Sequence, residues 1–563
     1  MFSTLGVQPA LGRAFTMEED QPARNKVAII SHSLWQRRFN SDPDIIGKTI
    51  RLGDESHQVV GVMPAGFDFP PSIPTTAQLP SRHSDVWVPL GLDPAKSPRG
   101  VSSLFAVGRL KDGVTLEQAQ AEMDSIAKSL EEEYPRTNSE KGVNLVSLYT
   151  QVVGDTRPAL LILFAAVAFV LAIACANVAN ILLARSLARQ KEIAIRSALG
   201  ASRFRLIRQL ITESSIVAIL GGTAGLLIAV WGVEALKAIS PDYIPRADQI
   251  QVDARVVIFT FVVSLVTGLV AGCAPALHAS KTDLNEALKE GGKGTPQSSR
   301  GRLRSLLVIS EVALSLVLLV GAGLLIKSFL RIQAIDPGFK SENVLTTWIL
   351  LPPSKYPEAR DQAAFFEKAL ARFETLPGVE SAGAINALPM TGTDSSSSFR
   401  IEGRENSSPS DSPNAQYRTI NDHYFRSMGI TLIAGREFTK ADDLSSRPVA
   451  IVNQSLAHRY WGDENPIGKR INVNNDDKGQ PIWNEIVGVA GDVRHFGLNQ
   501  EPKPELYVPY LQSPEGFMIV ALRCTTDPTL LAGAVRNEVL AIDRDQSVFN
   551  TRTMEQLVED SVS

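Results

Sequence analysis

The residues that come nearest to a catalytic motif lie at Ile45–Thr49, where IIGKT has the ending of a phosphate-binding loop. Such a loop, GxxxxGK[ST], wraps phosphate oxygens in backbone N–H groups and needs a glycine where Asp42 stands. A carboxylate there opposes phosphate, and the same pattern recurs as IGKR at 467–470, so ATP binding is excluded. None of the seven histidines opens an HExxH, no serine sits in a GxSxG, and no Cys/His cluster has metal spacing. The three cysteines, Cys175, Cys273 and Cys524, form no CxxC pair, and two of them sit in apolar runs where they act as small hydrophobes. Gly291–Gly301, GGKGTPQSSRG, is a flexible linker, and Thr391–Ser398 and Glu405–Ser412 are Ser-rich loops. No catalytic, cofactor-binding or metal-ligating residue is therefore assigned.

The informative stretch is Ala188–Glu213, ARQKEIAIRSALGASRFRLIRQLITE. Ile193, Ile195, Ala198 and Leu199, then Phe204, Ile207 and Leu210, recur at helical spacing with basic residues on the other side. Gly200 in LGAS breaks the helix between the two runs. From the residues alone, a helix lying on a membrane surface against lipid phosphates and a helix docked on a protein partner both remain open.

The elements around it are membrane spans. Leu160–Ala184 is 25 residues without a charge, Ser214–Val233 is 20 and Val256–Leu277 is 22. Leu306–Ile326 is 21 residues with one charge, Glu311, near its start. About 20 residues of helix cross a hydrocarbon core, so four spans are expected. The connector Arg185–Glu213 holds seven Lys/Arg against two acids, and His278–Ser305 holds six against three. Glu234–Arg255, between them, holds three against four. The positive-inside rule makes the first and last of these loops cytoplasmic, which puts both long polar ends on the outer side. Gly221/Gly225 and Gly268/Gly272 each form a GxxxG that lets helix backbones approach closely. Asn177 and Asn180 in the first span are expected to hydrogen-bond across the bundle. A net charge of −4 gives no reason to expect a nucleic acid.

The two polar ends repeat each other. FSTLGVQPALGRAFTMEED at Phe2–Asp20 matches FRSMGITLIAGREFTKADD at Phe425–Asp443 without a gap. VAIISHSLWQRRF, IIGKTIRL and VVGVMP then match VAIVNQSLAHRYW, PIGKRINV and IVGVAG in the same order. A strand-like, a helical and a second strand-like run follow in both copies: LFAVGRL, Leu116–Tyr134 and VNLVSL, then MIVALR, Leu530–Ile542 and SVFNTR. Copy two also has an earlier piece, VLTTWILL, a helical Pro357–Leu376 and the strand-like VESAGAINA. The fold class is thus α-helical transmembrane with four spans plus two mixed α/β extracytoplasmic domains related by internal duplication. The boundaries are 1–157 for copy one, 158–277 for a three-span membrane domain (160–184, 214–233, 256–277) with a cytoplasmic helix at 185–213, 278–305 for a linker, 306–330 for the fourth span and 331–563 for copy two. Copy one lacks the span and half-domain before copy two, so a longer native chain is expected, with strand faces such as Val27–Ile30 poorly covered.

KEIAIRSALGAS after a first span, followed by a helix into the next, resembles the signature of the FtsX-like permease domain. The outer domains resemble the MacB-type periplasmic core domain, including its GR-x-F and S-x-x-L-W-x-R-x-F blocks. The tandem arrangement is similar to duplicated acidobacterial permeases. The resemblance implies a non-enzymatic permease subunit in the bacterial inner membrane, with its large domains periplasmic. It further implies a separate cytoplasmic ABC ATPase docked on Glu192, Arg196, Gly200, Ala201 and Ser202, whose closure moves the periplasmic domains in export or mechanotransmission. Membrane lipid, a second permease copy and a periplasmic adaptor are the other partners it suggests. The alternative is a signalling or scaffold protein that mechanically activates an envelope partner such as a cell-wall hydrolase.

Overall fold

The computed structural model describes residues 1–53, 55–69, 84–93, 104–139, 141–153, 156–188, 203–239, 252–279, 298–404, 413–475 and 480–562. They fall into two units, Gly154–Arg331, and Met1–Val153 together with Ile332–Ser563.

The N-terminal sheet contains β1 (Leu11–Gly12), β2 (Val27–Ile30), β3 (Thr49–Leu52), β4 (Glu55–Val62) and β5 (Val86–Trp87) in the order β1-β4-β2-β5, with β3 also on β4. Strand alternation sends Ala28 and Ile30 toward Leu34, Trp35 and Phe39, while Ile29 packs with Phe2, Phe15 and Trp87. Ala28, Ile29 and Ile30 are fully buried, so the poor cover expected for this strand is not found. The reason is local: α1 (Phe2–Leu5) lays Phe2 over one face and α2 (His32–Phe39) covers the other. α2 starts where Ser31 Oγ accepts from Leu34 N at 3.0 Å and ends at Asn40, φ 50°. Further on, α3 (Leu116–Glu133) forms behind a Thr115/Gln118 capping box. LFAVGRL and VNLVSL, expected as strands, are irregular apart from the helical turn that begins at Leu148. In the C-terminal domain the counterpart of LFAVGRL is held between two strands that have no equivalent among the described residues of 1–153.

The membrane unit is helical. α4 (Thr156–Ala188), α5 (Arg203–Ile239) and α7 (Ser298–Gln333) contain apolar stretches of 22, 21 and 29 residues, each long enough to cross a bilayer. α6 (Ala254–Ala279) carries the third expected span, but its described apolar stretch, Ala254–Leu269, is shorter. Three helices, rather than the four expected, thus reach spanning length among the described residues. Leu161, Phe164 and Trp231 are exposed along these helices, a surface that hydrocarbon tolerates and water does not.

The C-terminal sheet contains β6 (Val344–Leu350), β7 (Val379–Ile385), β8 (Ser396–Ser398), β9 (Arg400–Ile401), β10 (Asn414–Ile420), β11 (Leu432–Gly435), β12 (Val449–Asn453), β13 (Arg470–Asn475), β14 (Pro481–Ala490), β15 (Glu505–Pro509), β16 (Phe517–Cys524) and β17 (Val548–Thr553). Its path is β17-β6-β16-β7-β10-β15-β12-β14-β13-β9, with β11 on β14 and β8 on β10. VLTTWILL, VESAGAINA, MIVALR and SVFNTR are strands as expected; Ser396–Ser398, expected as loop, pairs with β10. α8 (Ala359–Glu374) buries Phe365, Phe366 and Phe373 against β6, β7 and β16. α9 (Tyr424–Met428), α10 (Gln454–Trp461), α11 (Ala532–Ile542) and α12 (Met554–Val562) complete the domain.

Candidate functional site

Glu192, Arg196, Gly200, Ala201 and Ser202 lie outside the described residues, which stop at Ala188 in α4 and resume at Arg203 in α5. The first turn of α5 carries Arg203 and Arg205 and no acid.

Within the membrane unit α5 packs on α6, and α4 also packs on α6. The close approach falls at Gly222, where a Cβ would meet Ser264 Oγ at 2.6 Å. At Gly221 and Gly225 a Cβ would meet nothing within 4 Å, so the contact lies one residue off the GxxxG frame. Gly268 is buried on α6, and Gly272 follows on the same helix. Asn177 is exposed, and Asn180 Oδ1 is buried without a hydrogen-bond partner among the described residues.

The repeated blocks have the same geometry in both α/β domains. Gly12 (φ 76°) and Gly435 (φ 82°) each bring a strand so close that a Cβ would stand 2.2 Å from a carbonyl oxygen, of Val60 and Val487 respectively. The following arginines fold onto carboxylates: Arg13 donates to Glu19 at 2.8 and 2.6 Å, and Arg436 to Asp442 at 2.8 Å twice. The Arg13 guanidinium holds Glu19 down at about 2; burial raises Asp442, but Arg436 and Thr439 outweigh it and keep it low. β2 pairs Ile29 with Gly61 and with Trp87; β12 pairs Ile451 with Gly488 and with Tyr507. The register shifts at the same point, after Ala28 and after Ala450. These pairings bring out a matched block, DVWVP (85–89) and ELYVP (505–509), that sequence reading missed because the number of residues between it and the preceding block differs in the two copies. In the IIGKT block, Lys48 Nζ binds the Asp42 carboxylate, and Asp44 N donates to it at 3.0 Å. The rejected phosphate loop is thus a turn closed by its own ion pair.

A buried polar centre, invisible in sequence because its members are far apart, lies in the C-terminal domain. Arg418 (β10), Glu505 and Tyr507 (β15) are fully buried, and His495 nearly so. Tyr507 OH donates to Glu505 Oε2 at 2.5 Å, while Glu505 Oε1 faces His495 Nε2 at 3.3 Å and Arg418 Nη2 at 3.8 Å. Asn453 Oδ1, the N-cap of α10, accepts both Leu456 N at 3.0 Å and Glu505 N at 2.8 Å. Burial pushes Glu505 up to about 7, against the Arg418 charge and the Tyr507 hydroxyl. Burial, helped by Arg418, holds His495 well below its ordinary range. Enclosure suits this centre to holding strands together rather than to turning over a substrate. No group of three or more metal-ligating side chains occurs among the described residues.

Apolar spanning helices together with mixed α/β sheets define a membrane protein with large polar domains. The model of the MacB-like periplasmic core domain matches residues 1–126 and 305–538, and that of the FtsX-like permease C-terminal matches 164–284. The chain belongs to the MacB-like periplasmic core domain family, with an FtsX-like permease segment between the two matched stretches. It is similar to "Macrolide export ATP-binding/permease protein MacB" of Burkholderia lata, 28% identical over 292 residues, 51% of this chain and 39% of the relative. "Pyoverdine export ATP-binding/permease protein PvdT" of Pseudomonas syringae pv. tomato is 25% identical over 286 residues, 50% of this chain and 40% of the relative. The chain thus spans about two fifths of the length of these relatives. Among solved structures, the periplasmic region of MacB from Actinobacillus actinomycetemcomitans is 16% identical with a TM-score of 0.27, covering 41% of this chain and 96% of that one. The extracellular domain of the ABC-type transporter YknZ from Gram-positive bacteria is 20% identical with a TM-score of 0.25, covering 37% and 100%.

Proposed function

We propose that the chain is the permease subunit of an ABC-type export or mechanotransmission system in the bacterial inner membrane, coupling a separate cytoplasmic ATPase to movement of periplasmic domains. The observation that carries this reading is the order of matched segments, an FtsX-like permease stretch enclosed by two stretches of periplasmic core domain. α6 acts as a further span, giving four, so that both α/β domains lie on the periplasmic side. The domains arose by duplication, a relation supported by the shared register of β2 and β12 and by the paired Gly12/Gly435 and Arg13/Arg436. Glu192, Arg196, Gly200, Ala201 and Ser202 form the contact with the ATPase, and the basic start of α5 sits against an anionic partner there. Lipid, a second copy and a periplasmic adaptor are further partners in this reading, and the cargo is a peptide, a lipophilic compound or a lipoprotein.

The test is reconstitution of the chain with the ATPase that co-purifies with it. Gly200→Val and Arg196→Glu are expected to abolish the stimulation of ATP turnover by the chain while leaving insertion unchanged. If turnover follows only the summed charge of 185–208 and not the position changed, the segment is a lipid-surface helix and the docking reading fails.

A further inference from the structure

A cavity of ≈ 70 Å³ opens in the C-terminal α/β domain between α8, the turn after β10 and the segment after β11. It lies on the seam between two parts of the core. Leu370 and Tyr510 on its wall belong to the cluster under α8, and Ile420 and Phe438 to the cluster that holds Trp348 and Tyr424. Glu367 and Glu374 stand about two turns apart on one face of α8, and Ala371 between them is too small to fill the space. Asp422 adds a third carboxylate from the turn after β10. Among the described residues that line the cavity, these three carboxylates face a single ammonium, Lys440.

The turn is held in shape from behind. Asn421 Oδ1 accepts from Ala384 N at 2.7 Å and Asn421 Nδ2 donates to Ala382 O at 3.1 Å, which pins 421–423 to β7. His423 Nδ1 meets Glu374 Oε1 at 2.5 Å, and its Nε2 faces Asp422 Oδ2 at 3.9 Å. A neutral ring that gives its Nδ1 proton to Glu374 has an acceptor at Nε2, opposite a second acceptor. Two acceptors at that spacing call for a donor between them. Tyr510 points the same way. It is 2% exposed, and its hydroxyl has no hydrogen-bond partner among the described residues. The carboxylates whose charge reaches that hydroxyl are Glu515 and Glu367, and Glu367 is part of the cavity wall. Buried hydroxyls are seldom left unpaired, so this one is poised for a ligand.

With His423 neutral, the side chains around the cavity carry two negative charges in excess; with the ring charged, one remains. No three His, Cys, Asp or Glu side chains among the described residues converge as metal ligands, so the excess suits an organic cation. We propose that the cavity binds a primary ammonium group on an apolar stem. The ammonium donates into the gap between His423 Nε2 and Asp422 and toward Glu367 and the Tyr510 oxygen, while Leu370 and Phe438 cover the stem. At about 10–15 Å³ per water-sized group the volume admits about five heavy atoms, the length of a lysine side chain or of n-butylamine. Such a site needs neither an ATPase nor a transport step.

The experiment is saturation-transfer NMR of n-butylamine with the full chain in nanodiscs of zwitterionic lipid. Saturable binding is expected with a Kd of about 1 mM, within reach of five heavy atoms. n-Butanol, equal in length but uncharged, is expected to bind about tenfold more weakly. Glu374→Gln is expected to weaken the amine about tenfold. Ala371→Leu, an exposed helix position that keeps a good helix former, is expected to abolish binding by filling the space between the two glutamates. Tyr510→Phe is expected to weaken the amine about fivefold and leave the thermal midpoint unchanged, since the hydroxyl it removes has no partner within the described chain. Nα-acetyl-lysine amide that binds as tightly as n-butylamine identifies a peptide side chain as the ligand, and its exclusion identifies a free amine; both uphold the site. No saturable binding of n-butylamine would overturn the proposal. So would n-butanol binding as tightly as the amine, or amine binding indifferent to both Glu374→Gln and Ala371→Leu.

Discussion

At the scale of single residues, Glu505 and His495 place opposite pH dependences in one buried contact. Glu505 is raised to about 7 by burial, so the folded domain binds a proton that the unfolded chain has already released between about pH 4.5 and 7. Its contribution is present at the acid end of that window and is lost as pH rises through 7, at most about 3 kcal/mol. His495 is buried neutral, so its contribution is present above its ordinary value near 6.5 and is lost as pH falls below it. Below about pH 6.5 the two slopes have opposite sign. The unmodified chain is therefore expected to change less in stability on acidification below about pH 6.5 than Glu505→Gln, which keeps the His495 loss without the Glu505 gain. Denaturant midpoints of the C-terminal domain, followed by tryptophan emission at several pH values, check this; parallel curves for the two proteins would refute it. Asn453→Ala removes one acceptor from two donors, the N-cap bond to Leu456 and the bond to Glu505 N, and is expected to cost about 2 kcal/mol in the same assay.

Among the elements, the membrane helices test whether a small-residue motif or the actual contact governs packing. A side chain at Gly222 would press on Ser264, whereas one at Gly221 or Gly225 finds open space within the chain. Gly222→Leu is expected to separate α5 from α6 and lower the detergent thermal midpoint by several degrees, with Gly221→Leu and Gly225→Leu near neutral. Equal losses at all three would place an unseen neighbour on the GxxxG face. This case also shows what the sequence made legible. The sequence spacing marks Gly221 and Gly225, and the close approach within the chain is at Gly222, since crossing geometry fixes which side of a turn meets its neighbour. Strands were legible where alternation and a repeat coincided, as at VAII and VAIV. LFAVGRL has the same pattern and forms no strand, because a strand needs partners that composition does not encode. The helix at Leu116–Glu133 was legible from its pattern, whereas the caps at Ser31 and Thr115 emerged only in the structure. The Glu505 centre was not, since Arg418 and Glu505 meet through the parallel pairing of β10 with β15 and His495 comes from the loop that follows β14.

For the whole molecule the consequential question is which side of the membrane each part occupies, because a coupling role requires the basic connector inside and both α/β domains outside. The connectors 185–213 and 278–305 carry 13 Lys/Arg between them, against three in 234–255, and the cost of translocating basic loops sets the orientation of short connectors. Both α/β domains then share a side only if the number of crossings between them is even. α4, α5 and α7 are long and apolar enough for three crossings, and in the proposed topology α6 supplies the fourth. Cysteines introduced at Ser202 and Ser298 are therefore expected to react with an impermeant maleimide only after the inner membrane is opened. One at Ser408 is expected to react in intact spheroplasts. A cysteine at Ser3, in the other α/β domain, decides the parity: it should behave like Ser408, since four crossings return the chain to the side it left. Opposite labelling of Ser3 and Ser408 would mean three crossings, would place the two related domains on opposite faces, and would remove the arrangement on which coupling by a cytoplasmic ATPase depends.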